Sequence, residues 1–173
     1  VVGNDGTNLR LNSDTGLIAL GNPSGGVDSS INGVSGATIS AAAYTNSNVS
    51  VIPGGGSTAL YYIDSFNNSL LTTAAPNAGT VSTVGTLGVN VGADLGFDIY
   101  TGASTNTAYL VETTGTNLAS FYSVNLTTGA ASSLGPIARD FTGGFAIDTL
   151  SAIPEPSSFA ALAGAGVLGL AAT

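Results

Sequence analysis

At 173 residues, 43% of them hydrophobic, the chain is long enough for one ordinary domain and is not of disordered composition. Ten acidic residues against two basic ones give a formal charge of -8, which repels phosphate backbones, and no basic stripe offsets it, so nucleic acid is set aside as a partner. Cys, His, Met, Trp and Lys are all absent, and the two cations are Arg10 and Arg139, which removes disulfides, thiolate and imidazole metal sites, histidine bases and Schiff-base lysines together.

Charged residues make up only 7% of the chain, and Ser, Thr, Asn and Gly take their place. Hydroxyls and amides hydrogen-bond without depending on ionic strength, so this surface suits contact with water and carbohydrate at variable salt.

In chain order, the start "VVGNDGTNLRLN" carries no basic, apolar or cleavage-site pattern of a signal peptide, and Val1-Val2 reads as the end of a strand entering the Asn4-Asp5-Gly6 turn. It reads as the inside of a domain and predicts an upstream part that this sequence lacks. "LRLNSDTG" at 9–16 follows as a strand and turn, and then the Gly-, Ser- and Pro-rich stretches 21–36 and 47–58 read as exposed loops. From Leu95 onward four strands follow in succession: "LGFDIYT", "NTAYLVETT", "ASFYSVNLTT" and "AASSLGPI". No helical apolar period of useful length occurs among them.

Self-comparison shows a repeat. "VSTVGTL" at 81–87 matches "ASSLGPI" at 131–137, and "GFDIYT" at 96–101 matches "GFAIDT" at 144–149, at offsets of 50 and 48 residues. "LRLNSDTG" at 9–16, "YYIDS" at 61–65 and "YSVNLTTG" at 122–129 form a third set, in which Asn12 lies on Asn125 and Ile63 on Val124. Alternation makes Leu9, Leu11, Tyr61, Ile63, Tyr122 and Val124 core candidates, and puts Gly16 and Gly129 where a hairpin needs positive φ. Four short strands per roughly 50 residues is the pattern of a propeller blade. The expected fold is therefore all-β, an antiparallel propeller-like repeat holding too few units to close, as a partial propeller or an open stack.

Carboxylates are the remaining acid and base groups. Asp98 and Glu112 sit in one unit and are the best pair for glycosidase-type chemistry, but strand alternation sends either to solvent as readily, so no catalytic residue is assigned. Asp5 and Asp14, in Asn4-Asp5-Gly6-Thr7-Asn8 and Asn12-Ser13-Asp14, offer hard oxygens for Ca²⁺ without a complete calcium-loop spacing. Ordinary Asx-turn bonding is the favoured reading of both, and no cofactor is expected. Arg10, between Leu9 and Leu11, is expected on a solvated strand face.

The blocks "NLRLNSDTG", "AAAYTNS", "ALYYIDS", "PNAGTVSTVGTLGV", "GFDI" and "YSVNLTTGAASSLG" occur in an order that resembles the domain-of-unknown-function 4394 family, a propeller-like bacterial exported domain. The resemblance covers about residues 1–150 and implies no activity that attaches to particular residues. The end of the chain resembles the PEP-CTERM sorting signal of Gram-negative bacteria: Pro154-Glu155-Pro156, a polar step at Ser157-Ser158, and an apolar run from Phe159 to Ala172. It departs from that pattern by stopping at Thr173 without the Arg cluster. The resemblance implies an exosortase-type processing enzyme as partner and transient insertion of the tail into the inner membrane. The apolar run of 14 residues falls short of the roughly 20 that a spanning helix needs. Packing of this helix on the domain is the alternative, though three Gly residues in an unbroken apolar run suit a membrane better.

These readings divide the chain into a body at 1–150, a linker at 151–158 and an apolar helix at 159–173. The expected function is that of a non-enzymatic exported cell-surface or extracellular-matrix protein of a Gram-negative bacterium, associated with exopolysaccharide or biofilm. The alternatives are a carbohydrate- or ligand-binding module in which Tyr44, Tyr100 and Tyr109 stack on sugars, and a subunit that self-assembles through exposed strand edges.

Overall fold

A computed structural model describes residues 1–12, 14–20, 26–47, 58–102, 105–113 and 118–138. Its eight strands are β1 (Ile39–Tyr44), β2 (Leu60–Asp64), β3 (Ser69–Ala75), β4 (Thr80–Thr86), β5 (Leu95–Thr101), β6 (Asn106–Thr113), β7 (Leu118–Val124) and β8 (Ala131–Ala138). They form two four-stranded antiparallel sheets, each with its strands side by side in chain order, β1-β2-β3-β4 and β5-β6-β7-β8. The only described helix is a single 3₁₀ turn at Pro76–Ala78, and no described helix is long and apolar enough to cross a membrane. The all-β expectation holds, and the four strands read from Leu95 onward are β5 to β8. The expected apolar helix at 159–173 lies outside the described residues.

The three-fold repeat has a physical cause at its turns. Asn12 Oδ1 accepts from the amides of Asp14 and Thr15, Asp64 Oδ1 from those of Phe66 and Asn67, and Asn125 Oδ1 from those of Thr127 and Thr128. Each turn therefore begins with a side chain that caps the amides two and three positions on, which is why Asn or Asp recurs there. Four residues on from each cap the backbone turns left-handed, at Gly16 (φ 68), Asn68 (φ 50) and Gly129 (φ 81). Asn serves in the second copy because its short polar side chain tolerates this region.

The two sheets pack face to face. Ile63 and Leu70 of the first meet Ile99, Leu110 and Val124 of the second, with Leu87 and Val91 of the connection between them. Fully burying each such aliphatic side chain contributes about 1.5–3 kcal/mol. Backbone groups join the same interface: the Ala131 amide donates to the Leu87 carbonyl at 2.8 Å. Gly85 of β4 lies against the β7–β8 turn so closely that a Cβ there would collide with the Thr128 carbonyl oxygen. A polar seam continues the joint, where the Ser47 amide donates to Thr101 Oγ1 (2.8 Å) and Thr101 Oγ1 donates to Asn106 Oδ1 (2.7 Å).

The opposite face of the first sheet carries a second core of Ile39, Leu60, Tyr62, Leu71 and Val81, covered by Val2, Ile31, Val34 and Ala37 of the N-terminal segment. One correction follows. Leu11 is 49% exposed and Leu9 only half-buried, because the 9–18 hairpin is held by one bridge, Leu11 to Ile18, and joins neither sheet. The described part of the stretch 21–36 is largely exposed, as expected of a loop, yet it is anchored: Asn32 bridges Thr80 of β4, and Asp28 is buried.

Gly85→Ala is expected to destabilise the protein by about 2–3 kcal/mol, since backbone atoms must give way. Gly26→Ala, where a Cβ meets open space, should stay within about 0.5 kcal/mol of wild type in denaturant titrations.

Candidate functional site

Over the first sheet, on the face turned away from the second, lies a cleft of about 650 Å³. Its floor is Ala42 and Tyr44 of β1 and Leu60 of β2, and its walls are the N-terminal residues Asn8 to Leu11 and Asp28. Asn8 builds the wall: its buried amide donates to the carbonyls of Ser29 (3.1 Å) and Pro76 (2.7 Å), tying the first hairpin to two distant segments. Arg10 then reaches Asp28 in a fork, Nε to Oδ2 at 2.8 Å and Nη2 to Oδ1 at 2.9 Å. This corrects the solvated face expected of Arg10. A carboxylate only 1% exposed receives the guanidinium, and the fork fixes a side chain that is itself 38% exposed. Hydrogen bonding to Asp28 raises the Arg10 pKa, so the guanidinium is charged at all working pH.

The acidic candidates are placed apart. In the β5–β6 register Asp98 faces Tyr109 and Glu112 faces Leu95, which puts the two carboxylates on opposite faces of the second sheet. Asp98 Oδ1 accepts from the Ile99 amide. Glu112 is 4% exposed; its Oε1 accepts from the Gly92 amide at 3.2 Å and its Oε2 is buried with no partner. Asp5 is in an Asx turn, its Oδ1 accepting from the Thr7 amide at 2.9 Å, a bond that holds its carboxyl below the usual range. Asp14 lies in the turn that Asn12 caps. Among the described residues no three acidic side chains converge as a metal ion would require. Pro154, Glu155 and Pro156 lie outside the described residues.

Set against known proteins, residues 1–146 match the model of a family described as a domain of unknown function, DUF4394. The chain belongs to the DUF4394 family. The match spans the whole described fold of this DUF4394 protein, both sheets and the N-terminal cover, so the cleft lies within the family's domain. No curated protein and no solved structure matches the chain.

The three tyrosines singled out for sugar stacking do not form one site. Tyr44 lines the cleft and is 53% exposed; Tyr100, 60% exposed, sits on β5. Tyr109 is half-buried and stacks on Phe121 at 5.4 Å between ring centroids, on the face of the second sheet turned away from the first. Asp28 was missed by sequence reasoning and Asn8 was read only as part of the oxygen-rich stretch around Asp5, although Asp28 is the only acid in the 21–36 stretch and so the natural partner for an arginine in so cation-poor a chain.

Two buried groups give checkable consequences. Tyr62 is fully buried with its hydroxyl unpartnered, and burial, with Tyr44 nearby, pushes its pKa up to about 12. The folded state holds this proton more tightly than the unfolded one, so the stability involved is fully present below pH 10 and is lost as pH rises toward 12. Tyr62→Phe should flatten that alkaline loss, on the order of 2 kcal/mol, and leave stability at pH 7 unchanged or raised, in urea melts across the range. Glu112→Ala, which leaves the Gly92 amide without its acceptor, should lower stability by about 1–3 kcal/mol in the same assay.

Proposed function

We propose that this chain is a non-enzymatic exported protein of the cell surface or extracellular matrix, with a propeller-like body at 1–150 delivered by a C-terminal sorting signal that is processed near Pro154-Glu155-Pro156. The observation that carries the reading is the repeat of one unit: two four-stranded sheets with the same strand order, stacked face to face with their first strands β1 and β5 adjacent. Consecutive blades of a propeller stack in this way. Such a body is held by backbone pairing and apolar faces, with no disulfide, and its hydroxyl- and amide-rich surface is insensitive to the ionic strength outside a cell.

The tail supports export by its resemblance to a PEP-CTERM signal, which brings an exosortase-type enzyme as a processing partner and transient insertion in the inner membrane. Association with exopolysaccharide follows from the same resemblance. The placement of Asp98 and Glu112 on opposite faces of a sheet favours the non-enzymatic reading over a two-carboxylate hydrolase.

Assembly through strand edges is the less favoured reading. The edge strand β8 carries Pro136, which cannot donate to a new partner, and an irregularity in its pairing with β7 next to Gly135 (φ 117). On β4 the bridge from Asn32 to Thr80 covers one end of the other outer edge.

Intact-mass and C-terminal peptide mapping of the protein from its native cells should find a mature end near Pro154-Glu155-Pro156. Replacing these three residues by Ala should leave the chain unprocessed in the cell fraction. A mature extracellular form that retains Thr173 would refute the sorting reading.

A further inference from the structure

We propose that the cleft over the first sheet binds a neutral saccharide, with Tyr44 as the stacking platform and Arg10 as the donor that reads a sugar hydroxyl. The inference goes beyond the export reading, which concerns how the chain is delivered, and does not depend on it.

The cleft's volume of about 650 Å³ falls within the range of small-molecule sites, which are mostly apolar with a few fixed polar groups. Leu9, Ala42 and Leu60 supply apolar wall and floor. A hexose presents an apolar C–H face on one side and hydroxyls around its rim, so it needs both an aromatic surface and directed donors. Tyr44 offers the first: the residue is 53% exposed at the end of a strand, an amphipathic side chain with few torsions to freeze on binding. Arg10 offers the second. A guanidinium carries five N–H donors, and the fork to Asp28 uses two of them while locking the group in place. The remaining donors belong to a side chain that lines the cleft, and they are positioned before any ligand arrives.

Charge selects neutral over acidic sugars. The Asp28 carboxylate offsets the Arg10 charge within the site, and the formal charge of -8 on the chain opposes the approach of an anion. A neutral glycan meets neither obstacle.

The test is a titration of the full chain with neutral disaccharides of glucose, galactose and mannose configuration, and with galacturonic acid, followed by amide NMR shifts. The expected result is binding of at least one neutral sugar, with shifts at Arg10, Asp28 and Tyr44. Tyr44→Ala, a change at an exposed ring that leaves the fold intact, should weaken that binding about tenfold or more, and Tyr44→Phe should largely preserve it. Arg10→Lys keeps the charge and loses the fork, and should weaken binding comparably with the amide shifts of the second sheet, β5 to β8, retained. Tyr100→Ala should bind as wild type. The proposal is overturned if no neutral sugar shifts the cleft amides, if only galacturonic acid binds, or if Tyr44→Ala binds as tightly as wild type.

Discussion

A four-stranded sheet of short strands cannot bury an apolar face by itself, and everything else in this molecule follows from how the first sheet meets the second. Its inner face carries Ile63 and Leu70, which are removed from water by Ile99, Leu110 and Val124. Close approach of the two sheets requires a residue without a side chain at Gly85, because the β7–β8 turn presses its backbone onto that position. The Ala131-to-Leu87 hydrogen bond and the Ser47–Thr101–Asn106 seam then fix the register of one sheet on the other. With that joint set, the far face of the first sheet becomes a platform on which the N-terminal segment lies, and the cleft is what remains open between segment and platform.

The polar groups divide between two tasks. Asn12, Asp64 and Asn125 make the turns: each side chain satisfies amides that a tight reversal would leave unpaired. Asp64 extends this role, accepting also from the Thr38 amide and from Asn67 Nδ2 while fully buried, which ties the first sheet to the segment leading into β1. Asn8 and the Arg10–Asp28 fork belong to the second task, tying the first hairpin to the segment at Asp28 and Ser29 and to Pro76 after β3. Their geometry shapes a site as well as a fold.

The second sheet was legible in the sequence because its inner strands alternate and its turns carry Asn and Gly at fixed offsets. Phe97, Ile99, Leu110 and Val124 point one way and Asp98, Tyr109 and Phe121 the other. The strand β3 was not legible. Leu70 packs in the inter-sheet core and Leu71 in the core on the opposite face, so a strand buried on both sides reads as an unpatterned apolar run. Leu9 and Leu11 show the converse failure, in which alternation is genuine but no sheet lies behind it. Only part of the cleft was readable: Tyr44 and Arg10 drew notice as residue types, whereas Asn8 and Asp28 act through partners 18 to 68 positions away, and local pattern carries no trace of such distances.

Because the central claim is that two repeated sheets form one cooperative body, native-state hydrogen exchange followed residue by residue tests it most directly. Ile63, Leu70, Ile99 and Leu110 lie on both sides of the shared core. If the joint governs the fold, their amides exchange through one global opening with a common free energy and a common denaturant dependence. Two separate values, one for each sheet, would show that the sheets are stable independently and would contradict the account.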